Sequence, residues 1–178
     1  MREIEIKAKV EDKQKLLAKI AEQGIVLSAP KTQHDVVFCK PGQQDYEKDS
    51  IWLRIRTENG EKVTWTMKVD TGRKLDSIEH EVDVSDGEVL ETMLLQLGNE
   101  LYSDLTKTRQ KAKVGEIEIC VDTVEGLGTY IEAEKMCPDD ADYDEVAKEL
   151  WGFLGSLGIT KAAQETLGYD VLLKRKPD

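Results

Sequence analysis

The sequence predicts an α+β fold: about eight antiparallel strands closed into a barrel, with helices packed on its outside. Three observations carry that prediction. Short segments that alternate charged and apolar residues recur from Glu3-Ile4-Glu5-Ile6-Lys7 to Tyr130-Ile131-Glu132-Ala133-Glu134. Segments with helical apolar spacing lie among and after them, and Gly- and Asn-containing turns separate the strands. Successive side chains of a strand point to opposite faces, so each segment has one charged and one apolar face. The helices need an apolar surface to cover, and the apolar sheet face is the one available; in a closed sheet the charged face then points inward.

In the first strand Glu3, Glu5 and Lys7 share a face, with Ile4 and Ile6 on the other. Asp12 is placed to cap a helix to about Glu22, with Leu16, Leu17 and Ile20 as its stripe and Gly24 as its stop. Gln33 to Phe38 reads as the second strand, and the turn-rich stretch from Pro41 to Asp45 as a loop. Arg54 and Arg56 share a face of the next strand, opposite Ile51, Leu53 and Ile55. Asn59-Gly60 then turns the chain into a strand with Thr64, Thr66 and Lys68 on one face. Ile78 to Asp83 sets Glu79, Glu81 and Asp83 together, and Ser85-Asp86-Gly87-Glu88 has capping-box spacing ahead of a helix ending at Gly98. Lys107 and Arg109 share a face of the following strand. Gly115 turns into a strand in which Glu116, Glu118 and Asp122 oppose Ile117, Ile119 and Val121. Gly126 and Gly128 mark the turn into Tyr130 to Glu134. Val146, Leu150, Phe153, Leu154 and Leu157 have helix spacing, and Ala162 to Leu173 predicts a last helix that runs through Gly168.

The 178 residues suit a single domain over 1–178. Lys plus Arg number 25 against 36 Asp plus Glu, a net charge of -11, which argues against general attraction to nucleic acid or an anionic membrane. An anionic ligand therefore needs local cations or a metal. The three cysteines form no Cys-x-x-Cys pair, and the first residues carry Glu3 and Glu5 where a secretory segment would be apolar; a cytoplasmic location is expected. The charged face offers no apolar dimer patch, leaving monomer or homodimer open. His34 and His80 read as ordinary strand histidines, and Trp52, Trp65 and Trp151 as packing residues.

An inward face bearing Lys7, Arg54, Arg56, Lys68, Lys107 and Arg109 with Glu3, Glu5, Glu79, Glu81, Asp122, Glu132 and Glu134 is costly to leave dry and empty. The same alternation also allows an open sheet with a wetted charged face and weak ion pairs. The grouping of cations on some strands and carboxylates on others favours a filled cavity, in which cations grip phosphoryl oxygens and clustered carboxylates hold a hard cation.

The ordered set Glu3-x-Glu5-x-Lys7, Arg54-Ile-Arg56, Lys68, Lys107-x-Arg109, and Asp122 followed by Gly126-Leu-Gly128-x-x-Ile-Glu132-x-Glu134 resembles the CYTH superfamily. These are the triphosphate tunnel metalloenzymes, among them class IV adenylyl cyclases and thiamine triphosphatases. The resemblance spans nearly the whole chain. It implies a triphosphate tunnel and a small-molecule triphosphate bound by Lys7, Arg54, Arg56, Lys68, Lys107 and Arg109. It also implies Mg²⁺ or Mn²⁺ on Glu3, Glu5, Glu132 and Glu134, with Asp122 and Glu81 as further carboxylates. Lys7, Glu5 and Glu134 are the expected catalytic residues. The chain departs from the family's pattern at Val37, where many members carry Tyr, and at Leu167-Gly168-Tyr169, which lacks the Ser of a Ser-Tyr-x-x-Leu-Leu ending. Its layout is similar to class IV cyclases, which convert ATP to cyclic AMP and pyrophosphate. A triphosphatase acting on tripolyphosphate, thiamine triphosphate or a nucleoside triphosphate is the alternative, and a non-catalytic polyphosphate-binding module the third.

Overall fold

Eight antiparallel strands close a barrel in the computed structural model, which describes residues 2–176. The strands are β1 (Arg2–Val10), β2 (Lys31–Cys39), β3 (Ile51–Glu58), β4 (Lys62–Asp70), β5 (Asp76–Val84), β6 (Glu100–Val114), β7 (Ile117–Val124) and β8 (Gly128–Cys137). Around the barrel the order is β5-β4-β3-β2-β6-β7-β8-β1, and the start of β1 returns to β5 through Glu3 opposite Ser77 and Ile4 opposite Asp76. Closure removes the exposed edges an open charged sheet would present. A two-residue strand, β9 (Gln164–Glu165), adds to β1 with Glu165 opposite Lys7.

Among the described residues four α-helices complete the fold: α1 (Lys13–Glu22), α2 (Gly87–Gln96), α3 (Tyr143–Ser156) and α4 (Tyr169–Arg175). Period-2 alternation buries Ile4, Ile6, Ala8, Ile119, Val121, Ile131 and Ala133 on the outside of the barrel, against Leu16 and Ile20 of α1 and Leu150, Trp151 and Leu154 of α3. Each of the isoleucine, leucine and valine side chains contributes on the order of 1.5–3 kcal/mol on burial. A second cluster packs Leu90 and Leu94 of α2 on Phe38, Ile55 and Trp65. Aspartates cap three helices: Asp12 accepts from Lys15 N, Asp86 from Val89 N and Asp142 from Asp144 N. The cap of α2 is therefore Asp86, one residue later than the Ser85 spacing suggests.

The end of the chain differs from the sequence expectation. In place of one helix from Ala162 to Leu173 there is a 3₁₀ turn at Lys161–Ala163, then β9, and a helix that begins only at Tyr169 with Gly168 as its N-cap. Pairing with β1 captures residues whose local spacing is helical. The three cysteines are buried and free. No helix among the described residues is long and apolar enough to cross a membrane.

Candidate active site

The inner faces of the strands line one cavity of about 350 Å³. Strand register decides which charges meet inside it. β1 and β8 place Glu5 directly opposite Glu134 and Lys7 opposite Glu132. β2 and β3 place Asp35 opposite Arg56, β4 and β5 place Lys68 opposite Glu79, and β6 and β7 place Arg109 opposite Asp122.

Like charges directly across a strand pair are destabilising unless something neutralises them. Glu3, Glu5 and Glu134 bring one carboxylate oxygen each to within 4.8 Å of one another. Burial, reinforced by Glu132 and Glu3, raises the Glu5 carboxyl to about 8 despite Lys7. Burial with Glu3 and Glu5 nearby raises Glu134 to about 9. Burial and Glu79 push Glu3 up as well. Glu5 Oε1 is buried with no hydrogen-bond partner. Three converging oxygen donors, unwilling to ionise together and incompletely hydrogen-bonded, fit a hard divalent cation such as Mg²⁺ or Mn²⁺.

Four other inward carboxylates, Asp122, Glu132, Asp35 and Glu79, are committed to cations. Asp122, 0% exposed, accepts from Lys107 at 3.0 Å and from both ends of the Arg109 fork at 2.7 and 2.6 Å. Arg109 also bonds Glu132, whose other oxygen lies 3.4 Å from Lys7. Burial opposes ionisation of Glu132, but Arg109, Lys7 and Lys107 outweigh it and hold the carboxyl well below the usual range. Asp35 takes a two-pronged bond from Arg56, 2.6 Å on each prong, and stays ionised against its burial. Glu79 bonds Lys68 and Ser77 and, with Arg54 near, falls to about 2 although burial pulls the other way. Lys107 is pushed below the usual lysine value by burial and by Arg109, with Asp122 opposing.

A CYTH domain family model matches residues 1–169. The chain belongs to the CYTH family. A provisionally named adenylate cyclase of Methanocaldococcus jannaschii is 34% identical over 166 residues, covering 90% of this chain and 92% of that protein. A solved protein of Pyrococcus horikoshii superposes with a TM-score of 0.80 at 26% identity, over 98% of this chain and 99% of that one. A Hippeastrum protein, provisionally named an adenylyl cyclase and described as having dominant triphosphatase activity, shares the fold. Its TM-score is 0.65 at 19% identity, covering 99% of this chain and 97% of that one.

Within this CYTH barrel, all six expected cations, Lys7, Arg54, Arg56, Lys68, Lys107 and Arg109, line the same cavity. Of the carboxylates singled out in the sequence, Glu3, Glu5 and Glu134 converge. Glu132 and Asp122 lie against cations, and Glu81, its side chain 51% exposed, takes a bond from Thr66 beside Arg54. The segregation of charge by strand does not survive folding, because register interleaves acids with bases. Glu79, the partner of Lys68, was legible as an inward residue but not as a counter-ion, and Asp35, the partner of Arg56, was not singled out. Trp52, read as a packing residue, packs edge-on to Tyr102 with ring centroids 4.6 Å apart, bonds Asp70 through Nε1 and also lines the cavity.

Proposed function

We propose that this CYTH protein is a metal-dependent enzyme that acts on a triphosphate inside its barrel, converting ATP to cyclic AMP and pyrophosphate. The observation that carries this reading is the convergence of Glu3, Glu5 and Glu134 beside six cations on one cavity. A general anion site would need the cations without three mutually repelling carboxylates. The designation of the relative from Methanocaldococcus jannaschii supports the cyclase form.

In that reaction the ribose 3′ oxygen bonds to the α-phosphorus, the bond to the bridging oxygen breaks, pyrophosphate leaves with the electron pair, and the hydroxyl proton passes to solvent water. Lys7, Arg54, Arg56, Lys68, Lys107 and Arg109 hold the phosphate chain and stabilise charge building on the leaving group. Glu3, Glu5 and Glu134 hold Mg²⁺ or Mn²⁺, with Glu132 steadying Lys7 and Arg109 beside them. When bound, the ion supplies charge neutralisation and orientation of the reacting oxygens. Enclosure in the barrel fixes the phosphate chain relative to the nucleophile.

A triphosphatase is the second reading, favoured by the description of the Hippeastrum protein. Val37, which lines the cavity where thiamine triphosphatases carry Tyr, speaks against thiamine triphosphate as its substrate. Incubation with ATP, thiamine triphosphate and tripolyphosphate, each with Mg²⁺ or Mn²⁺, tests the proposal. Cyclic AMP with pyrophosphate is expected from ATP. Orthophosphate release alone would replace the cyclase with the triphosphatase, and binding without turnover would leave a polyphosphate-binding module.

A further inference from the structure

We propose that Tyr169 contacts the substrate directly, its phenol hydroxyl donating a hydrogen bond to a phosphoryl oxygen held between Lys7 and Lys107. The inference rests on the triphosphate reading of the cavity and adds to it a neutral donor that the pattern of charged residues does not reveal.

Tyr169 is the first residue of α4 and is fixed from both sides. Gly168 N donates to the Tyr46 hydroxyl at 2.7 Å, and the Asp170 carboxylate accepts from Ser103 at 2.8 Å. One side of the ring meets Tyr130 at 5.2 Å in an edge-to-face contact. Two ammoniums that line the cavity also lie over it, Lys7 Nζ at 4.1 Å from the ring centroid and Lys107 Nζ at 5.1 Å. A single ring thus positions a lysine from β1 and a lysine from β6.

The hydroxyl is unspent. Tyr169 is 7% exposed, lines the cavity, and its Oη is buried with no hydrogen-bond partner. It approaches the Glu132 carboxylate and helps hold it ionised, but outside hydrogen-bond geometry, and Glu132 already serves Arg109 and Lys7. Lys7 likewise reaches Glu5 and Glu132 at 3.5 and 3.4 Å, longer than a charge-assisted hydrogen bond. A buried donor left unsatisfied is costly, and here it faces the same space as an ammonium with spare donor capacity. Both are satisfied together by an anionic oxygen, which accepts from the ammonium and the phenol at once. Burial and Glu132 hold the phenol well above its ordinary value, so it remains a donor throughout the working pH range.

The test is Tyr169→Phe, which keeps the ring and its contacts with Tyr130, Lys7 and Lys107 and removes only the hydroxyl. Tyr130→Phe, one residue away in space and outside the cavity lining, is the control. Tripolyphosphate binding is measured by calorimetry and turnover by kcat/KM, with thermal unfolding of each variant. Expected is a roughly 10- to 100-fold weaker Kd or lower kcat/KM for Tyr169→Phe, the span for a hydrogen bond to a charged group. Its Tm should be unchanged or higher, because an unsatisfied buried group is gone. Tyr130→Phe should match wild type. Binding and kcat/KM within twofold of wild type for Tyr169→Phe, with wild type binding normally, overturns this role alone. So does a loss matched by an equal loss in Tyr130→Phe or by a fall in Tm. A wild-type protein that binds no tripolyphosphate or ATP under any metal condition overturns the reading of the cavity, and Tyr169 with it.

Discussion

Asp122 separates two roles that a carboxylate in this barrel could play. Its side chain is wholly buried and receives three hydrogen bonds, from Lys107 and from both prongs of Arg109. It is not among the three carboxylates that converge on one point. Substituting Asp122→Asn keeps the shape and one acceptor but leaves two buried cations facing a neutral group. Removing one partner of a buried charge pair costs about 3–5 kcal/mol. Asn retains part of the bonding, so about 3 kcal/mol is the expected loss. For a chain of this size each kcal/mol moves Tm by about 2–4 °C, giving a fall of about 6–12 °C in metal-free protein followed by circular dichroism. The increment in Tm on adding saturating Mn²⁺ should stay as in wild type, because the converging oxygens of Glu3, Glu5 and Glu134 are untouched. A variant that keeps its metal-free Tm within about 2 °C of wild type but gains nothing from Mn²⁺ would show that Asp122 is a metal ligand and that the counter-ion reasoning is wrong.

Glu5→Gln and Glu134→Gln should show the opposite pattern: metal-dependent turnover abolished, metal-free Tm equal to wild type or higher, and no stabilisation by Mn²⁺; near-wild-type turnover in saturating metal by either variant would remove that carboxylate from the site. The same two groups set a pH dependence. Their folded values, about 8 and about 9, lie above the ordinary 4.5. Above pH 4.5 the unfolded chain therefore gives up protons the folded chain retains, and stability falls as pH rises, by up to about 1.4 kcal/mol per pH unit per group. Glu79, lowered to about 2, works the other way, its contribution present above 4.5 and lost as pH falls through 2. Tm in chelator should thus decline from pH 5 to pH 8, and Mn²⁺ should flatten the decline; a Tm in chelator that rises across this range contradicts the clustering of the carboxylates. Arg54→Ala should weaken tripolyphosphate binding at least about 10-fold and orthophosphate binding less, and equal losses in calorimetry would mean that Arg54 does not span a phosphate chain.

Much of the fold was legible because the charged and apolar faces of β1, β3, β4, β7 and β8 alternate without interruption. That alternation fixes which side chains share a face, and helices covering the apolar face leave the charged one pointing inward once the sheet closes. It does not fix which inward residue sits beside which. Glu5 meets Glu134, and Arg109 meets Asp122, through inter-strand register, and register depends on turn geometry and on contacts far apart in the chain. The carboxylates therefore read alike in the sequence and separate only in the fold. The residues from Ala162 to Gly168 were misjudged for a related reason. Their local spacing is helical, yet Gln164 and Glu165 pair with the far end of β1, a partner more than 150 residues away that no local pattern records. Tyr169 shares this origin, since its place over Lys7 and Lys107 exists only once α4 has docked on the barrel.

Register also ranks the six cations by how free they are to meet a ligand. Arg56 is fully engaged by Asp35, and Arg109 by Asp122 and Glu132. Their charge remains, but their forks are already aligned on protein oxygens. Arg54 has one hydrogen bond, to Thr66, with Glu81 at 3.6 Å, Glu79 at 4.0 Å and its Nε buried without a partner. Lys7 holds two carboxylates at long range. Lys68 and Lys107 each spend one donor, on Glu79 and Asp122. Arg54 and the three lysines are thus able to form new short bonds without breaking old ones. Arg56 and Arg109 contribute a fixed positive field, which is effective in a low-dielectric cavity without any rearrangement. A phosphate chain anchored at Arg54 and Lys7 would lie across the barrel, its Lys7 end beside the unsatisfied hydroxyl of Tyr169 and the unsatisfied oxygen of Glu5, where the carboxylates of Glu3, Glu5 and Glu134 converge.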